Sequence, residues 1–266
     1  MATLRFTILG CGSSGGVPRL GGHWGACDPD DPRNRRRRCS MLVERVAQGG
    51  TTRILIDTSP DMRQQLLDAG VGELDGVVWT HAHADHVHGI DDLRMVAINR
   101  RRMLDVWADE PTHAALLARF GYAFETPPGS SYPPILTRHA LDGPITVDGP
   151  GGAIAVTPIP VGHGSIDALG LRIGGLAYMP DVNVIPDASL ALLEGLDIWV
   201  LDALRRAPHP SHLSLPEALD WIERMAPGRA VLTNMHNDLD WAEVDAETAA
   251  DITPAHDGMM LELPDG

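Results

Sequence analysis

The chain has 266 residues, 44% of them hydrophobic and 21% charged, with a formal net charge of -15. That balance is globular rather than disordered, and a mean hydropathy of -0.07 excludes a predominantly membrane-embedded chain. The acidic sign counts against a wholesale nucleic-acid binder, whose affinity comes from neutralising phosphates.

Apolar runs of strand length recur at residues 5–10, 40–45, 53–57, 76–80, 104–108, 153–159, 176–179, 198–202, 230–233 and 259–263. The first, Arg5-Phe-Thr-Ile-Leu-Gly10, has no basic stretch followed by an apolar one, so no secretory signal is read there. Residues 11–39 form a long Gly- and Pro-rich connection that holds Cys11, Cys27 and Cys39, an odd set without a C-x-x-C pair and so no disulfide framework. Its Ser13-Ser14-Gly15-Gly16 turn offers backbone N–H groups to an anion. Its Arg33 and Arg35 to Arg38 are read mainly as ion-pair partners, with one or two able to fork onto a phosphate. A helix over 61–69 places Met62, Leu66, Leu67 and Ala69 on one side. Residues 126–152, with Pro127, Pro128, Pro133, Pro134, Pro144 and Pro150, read as a second long connection. A helix over 215–225 starts after Ser214 with Pro216 at an early position. No linker or short repeat divides the chain, so one domain over 1–266 is expected, of layered α/β (α+β) architecture and cytoplasmic, with no membrane span.

Histidine stands out, with 12 residues, and His81, His83, His86 and His88 fall close together. Thr80-His81-Ala82-His83-Ala84-Asp85-His86 follows the strand-like Asp75-Gly-Val-Val-Trp79. Imidazole and carboxylate suit Zn or Mn, and residues two apart aim at one ion where the backbone leaves a strand and turns. Three further apolar runs end in ligand types: Val161-Gly162-His163, Met179-Pro180-Asp181 and Asn234-Met235-His236. Sites in layered sheet proteins gather beyond strand ends, so these groups are expected to converge. His88, His113 and His209 are read as structural or solvent-exposed.

With these residues in view, the chain resembles the metallo-β-lactamase superfamily, through His81-x-His83-x-Asp85-His86 followed by His163, Asp181 and His236. The resemblance implies a four-layered αββα sandwich and two divalent ions, Zn2+ or Mn2+. It puts His81, His83 and His163 on one ion, Asp85, His86 and His236 on the other, and Asp181 between them. Asp57, ending the run at 53–57, matches an aspartate that braces the histidine loop. Gly10-Cys-Gly-Ser-Ser-Gly-Gly-Val-Pro18, Arg35-Arg-Arg-Arg-Cys-Ser40 and Pro210-Ser-His212-Leu resemble the branch of cyclic-phosphate phosphodiesterases.

The implied activity is phosphodiester hydrolysis, opening a ribose cyclic phosphate or a 2',3'-cyclic nucleotide by attack of a metal-bridging hydroxide. Asp85 and His212 are the residues given catalytic roles, His212 as proton donor to the leaving oxygen. The expected partner is a small phosphorylated substrate, without long nucleic acid or membrane, and a homodimer is compatible. The alternatives are a tRNA 3'-processing endonuclease, against which residues 120–150 hold only Arg138 as a base and Leu213 follows His212, a lactonase or thioesterase, and a metal-binding carrier. Cys27 with His23 and Cys39 would make an incomplete zinc site, so no third metal is expected.

Overall fold

A computed structural model describes residues 2–265. In chain order the strands are β1 (Ala2–Gly10), β2 (Ser40–Ala47), β3 (Gly50–Ile56), β4 (Gly76–Val78), β5 (Leu104–Ala108), β6 (Leu136–Ala140) and β7 (Ile145–Val147). They continue as β8 (Ile154–His163), β9 (Ile166–Ile173), β10 (Leu176–Met179), β11 (Ile198–Asp202), β12 (Arg229–Thr233), β13 (Ile252–Pro254) and β14 (Met259–Asp265). The helices are α1 (Met62–Asp68), α2 (Ala84–Val87), α3 (Leu93–Arg100), α4 (Glu110–Phe120), α5 (Asp187–Leu190), α6 (Leu215–Met225) and α7 (Trp241–Glu247). Among the described residues no helix is long and apolar enough to cross a membrane.

The strands form two seven-stranded sheets, ordered β14-β1-β2-β3-β4-β5-β6 and β13-β12-β11-β10-β9-β8-β7. The chain divides into two compact units, each assembled from separated stretches. One takes the residues up to Leu9, Ser40–Ala155 and those from Met260 on, and the other takes Gly10–Cys39 and Val156–Met259.

In the first unit β2 and β3 form an antiparallel hairpin, and β3, β4, β5 and β6 then run parallel. Val77, Val78 and Trp79 are fully buried, as a central parallel strand covered on both faces requires. The core around them includes Leu55, Met62, Leu66, Val87, Leu93 and Val106. Each such side chain contributes about 1.5–3 kcal/mol on burial. Trp79 Nε1 donates to Thr58 Oγ1 at 2.9 Å, so the one polar atom of this ring is satisfied.

In the second unit β8 and β9 are an antiparallel hairpin, β9 pairs antiparallel with β10, and β10 to β13 run parallel. Helix α6 opens on a capping box in which Ser214 and Glu217 bond each other's backbone, with proline at its first turn as expected.

The strands at 104–108, 176–179 and 198–202 and the helix at 215–225 fall where the sequence puts them. The stretch 126–152 does not form one connection: it contains β6 and β7. Strand β6 is a sheet edge pairing only with β5, where flanking prolines are tolerated because one side needs no ladder bonds. Arg138 lies within that strand rather than on a projecting arm.

Candidate metal centre

Each unit carries its own cluster of ligand-type side chains at the carboxyl ends of parallel strands. In the first unit, Asp57 follows β3 with φ 62, a left-handed conformation that Asp tolerates better than most residues. Its N–H bonds Val78 O at 3.0 Å, and its carboxylate, fully buried, turns toward the loop after β4. Oδ1 accepts Thr80 N–H at 2.8 Å, and Oδ2 accepts Thr80 Oγ1 at 2.8 Å and His86 Nδ1 at 2.7 Å. Since the Thr80 hydroxyl proton goes to Asp57, its oxygen accepts from His81 Nδ1 at 3.0 Å. One carboxylate therefore orients two histidines, His86 directly and His81 through Thr80. Burial pushes the Asp57 carboxyl up from its ordinary value, and His86 and the Thr80 bonds oppose this.

The His81 ring lies 4.7 Å from the His83 ring and 4.3 Å from the His86 ring, and His86 Nε2 is 3.6 Å from Asp85 Oδ2. Helix α2 carries Asp85 and His86, with His83 at its N-cap position. Gly89 lets this turn seat against the chain after β3, because a Cβ there would lie 2.2 Å from Ser59 O. His88 packs edge-on to Phe120, and His113 bonds His139 O at 2.8 Å.

In the second unit, β8 delivers His163, β10 runs into Asp181 and β11 ends in Asp202. His163 Nδ1 donates to Ser211 O at 2.6 Å, leaving Nε2 3.4 Å from Asp181 Oδ2. His212 packs edge-on to His163 with ring centroids 4.6 Å apart, and its Nδ1 bonds Asp202 Oδ2 at 2.8 Å. Burial pushes the Asp202 carboxyl up to about 7; the His212 bond and charge oppose this, and the Asp181 charge adds to it. His236, after β12, has Nδ1 3.2 Å from Asp238 Oδ1. Its imidazole is shifted down by burial and then by the Arg19 charge.

Four of the clustered arginines make contacts within the second unit. Arg33 pairs with Asp31 at 2.7 Å and covers Trp241, Arg35 stacks over Trp24, and Arg37 bonds Asp257 at 2.9 Å. Arg36 is buried and donates to His236 O at 3.1 Å and Leu239 O at 2.7 Å, fixing the loop that carries His236. Gly12 makes that approach possible, since a Cβ there would lie 2.8 Å from Arg36 Cβ. Cys27 donates to Leu239 O, whereas Cys39 faces Gly12 O and Asn234, so these thiols serve different neighbours. The sequence reading misses two members of the second cluster, Asp202 and Asn234. The available signal was their position, each at the end of an apolar run as Asp57 and Asp181 are.

The donor chemistry within each cluster fits a divalent cation. In His81, His86 and His163 an oxygen holds Nδ1, which fixes the proton there and turns the Nε2 lone pair toward a carboxylate or a neighbouring ring. Replacing Asp57 with Asn keeps the volume but removes charge and one acceptor. The expected result is a metal affinity weaker by about 10- to 100-fold. Titration of the chelator-stripped variant with zinc checks it, and wild-type affinity would remove Asp57 from the ligand support.

A family profile described as "Beta-lactamase superfamily domain" matches residues 52–235. An octanoyltransferase from Porphyromonas gingivalis is 35% identical over 234 residues, covering 87% of this chain. The chain spans only 46% of that protein's length. The crystal structure of a diphosphatase from the PhnP family superimposes with a TM-score of 0.88 at 36% identity, covering 99% of this chain and 98% of that one. Zn2+-bound PqqB from Methylobacterium extorquens shares the fold, with a TM-score of 0.74 at 20% identity over 97% of this chain and 100% of that one.

Proposed function

The chain belongs to the β-lactamase superfamily, with the mixed α/β fold of two sheets and helices of the metallo-β-lactamase type, and on that premise we propose that it is a metal-dependent phosphodiesterase that opens small cyclic phosphates. In this reading, which follows the superfamily resemblance, His81, His83 and His163 hold one divalent ion, Asp85, His86 and His236 hold a second, and Asp181 serves both. Bound ions would activate water and neutralise charge growing on the phosphoryl oxygens. Zn2+ and Mn2+ are both compatible with imidazole and carboxylate donors.

The protein's own groups supply the rest. Asp57 and Thr80 keep His81 and His86 in their ligating tautomer. Ser211 O does the same for His163. The observation that carries the phosphodiester reading is His212, with Nδ1 on Asp202 and its ring against the ligand His163. Nε2 of the imidazolium then holds the proton for a leaving alkoxide, and Asp202 stabilises the cation until it is given up. Ring opening of a cyclic phosphate expels such an alkoxide.

The diphosphatase relative supports a second reading, cleavage of a phosphoanhydride. There the leaving group is itself a phosphate and depends less on a proton donor. One metal-loaded sample should be assayed on 2',3'-cyclic AMP, an activated linear phosphodiester, a dinucleoside diphosphate, a pre-tRNA and a lactone. The expected result is the highest kcat/KM on the cyclic nucleotide. A faster dinucleoside diphosphate would select the second reading, and a faster lactone or pre-tRNA would overturn both.

A further inference from the structure

We propose that Asn234 is the positioning residue of the His212–Asp202 pair, giving one amide hydrogen to each of the two buried carboxylates beside it. This deepens the proposed function, since it rests on His212 as proton donor.

Asn234 follows β12 with φ 59 and is 2% exposed. Asn is among the few residues that enter this left-handed region at low cost, and the turn sends its side chain back across the strand ends. Nδ2 lies 3.2 Å from Asp202 Oδ1 and 3.4 Å from Asp181 Oδ1. His212 Nδ1 is 3.1 Å from the same nitrogen but closer, at 2.8 Å, to Asp202 Oδ2. The ring proton therefore goes to Asp202, and the two amide hydrogens go to the carboxylates. The opposite amide orientation would set a carbonyl oxygen against two carboxylates, whereas in this one Oδ1 accepts from Cys39 Sγ at 3.8 Å.

Both oxygens of Asp202 are then held, Oδ1 by Asn234 and Oδ2 by Val182 N–H at 3.1 Å and by His212. A carboxylate held at one oxygen can swing about its Cβ–Cγ bond; held at both, it presents one fixed face to the imidazole. Asp181 Oδ1 takes the other amide hydrogen, while its Oδ2 stands 3.4 Å from the Nε2 lone pair of His163. A neutral side chain with two donors meets this need. A carboxylate would add a third negative charge, and a cation would compete with His212 for Asp202.

Asn234→Gly is the cleanest test, because glycine keeps the left-handed backbone and removes only the amide. Asn234→Asp, which keeps the volume and exchanges donors for acceptors, serves if the glycine variant does not fold. On metal-loaded full-length protein, kcat with 2',3'-cyclic AMP should fall about 10- to 100-fold, and kcat with bis(p-nitrophenyl) phosphate by less than about threefold. Adding His212→Ala to the glycine variant should cost no more on the cyclic substrate than His212→Ala alone. In metal-free protein, the downfield Nδ1–H resonance of His212 in a 15N-labelled sample should be present in the wild type and lost or moved upfield in the variant. Equal losses on both substrates, additive losses in the double variant, or an unchanged His212 resonance would each overturn the proposal. If the wild type hydrolyses neither phosphodiester, the phosphodiesterase reading fails, and the resonance alone then decides whether Asn234 positions the pair.

Discussion

Replacing His163 with alanine is expected to lower kcat/KM on a phosphodiester by about 10³-fold or more, and Asp85→Asn to do the same, because each removes a proposed metal ligand. Metal catalysis supplies several kcal/mol of charge stabilisation, and each 1.36 kcal/mol is about tenfold. The two changes differ in what they cost the fold. His163 is buried and bonds Ser211 O, so the alanine variant also loses a hydrogen bond and leaves a cavity. Asp85 is partly exposed on α2, with His86 as its near neighbour, so Asp85→Asn should leave the melting temperature of the metal-free protein almost unchanged. Elemental analysis should give close to two ions per wild-type chain and fewer in both variants. A chelator should lower Tm of the wild type more than that of either variant, since an ion that binds only the folded state stabilises it by mass action. Wild-type turnover in either variant would remove that residue from the centre.

The proposed ligands are legible in the sequence because metal binding imposes local spacing. His81-Ala-His83-Ala-Asp85-His86 is one turn of chain leaving one strand, and its alternation is visible without a fold. His163 and Asp181 are legible for a related reason, each standing where an apolar run stops. Asp202 and Asn234 stop apolar runs too, yet what they do depends on each other and on His212, and Asp202 and Asn234 are 32 residues apart. Such pairings exist only once β11 and β12 lie side by side in register. In the arginine run, read mainly as ion-pair partners, what the sequence does not show is which groups those partners are: Asp257 and Trp241, drawn from distant segments, take up the charges of Arg37 and Arg33. Strand β6 was hidden because proline marks a loop in any local reading, and only its place at a sheet edge makes the prolines harmless.

Replacing His212 with alanine is expected to cut kcat on 2',3'-cyclic AMP by about 10²- to 10⁴-fold, the range for removal of a positioned general acid. The same variant should lose less than about tenfold on bis(p-nitrophenyl) phosphate, whose nitrophenolate departs without a proton. The split follows from where the ring is held. With Nδ1 on Asp202 at 2.8 Å, Nε2 is the nitrogen that the proposed reading gives to the substrate. A working acid must carry its proton before the reaction, so the wild-type profile of kcat/KM on the cyclic substrate should fall on its alkaline side as the His212–Asp202 pair loses it. Burial already holds the Asp202 carboxyl near 7, so the pair titrates as a unit and the limb belongs to both residues. His212→Gln, which can donate a hydrogen bond but cannot transfer a proton, should abolish that limb while leaving KM close to the wild-type value. Equal losses on the two substrates, or a limb that survives in His212→Gln, would reduce His212 to a substrate-positioning group and shift the preferred reading toward phosphoanhydride cleavage, where the leaving phosphate makes little demand on an acid.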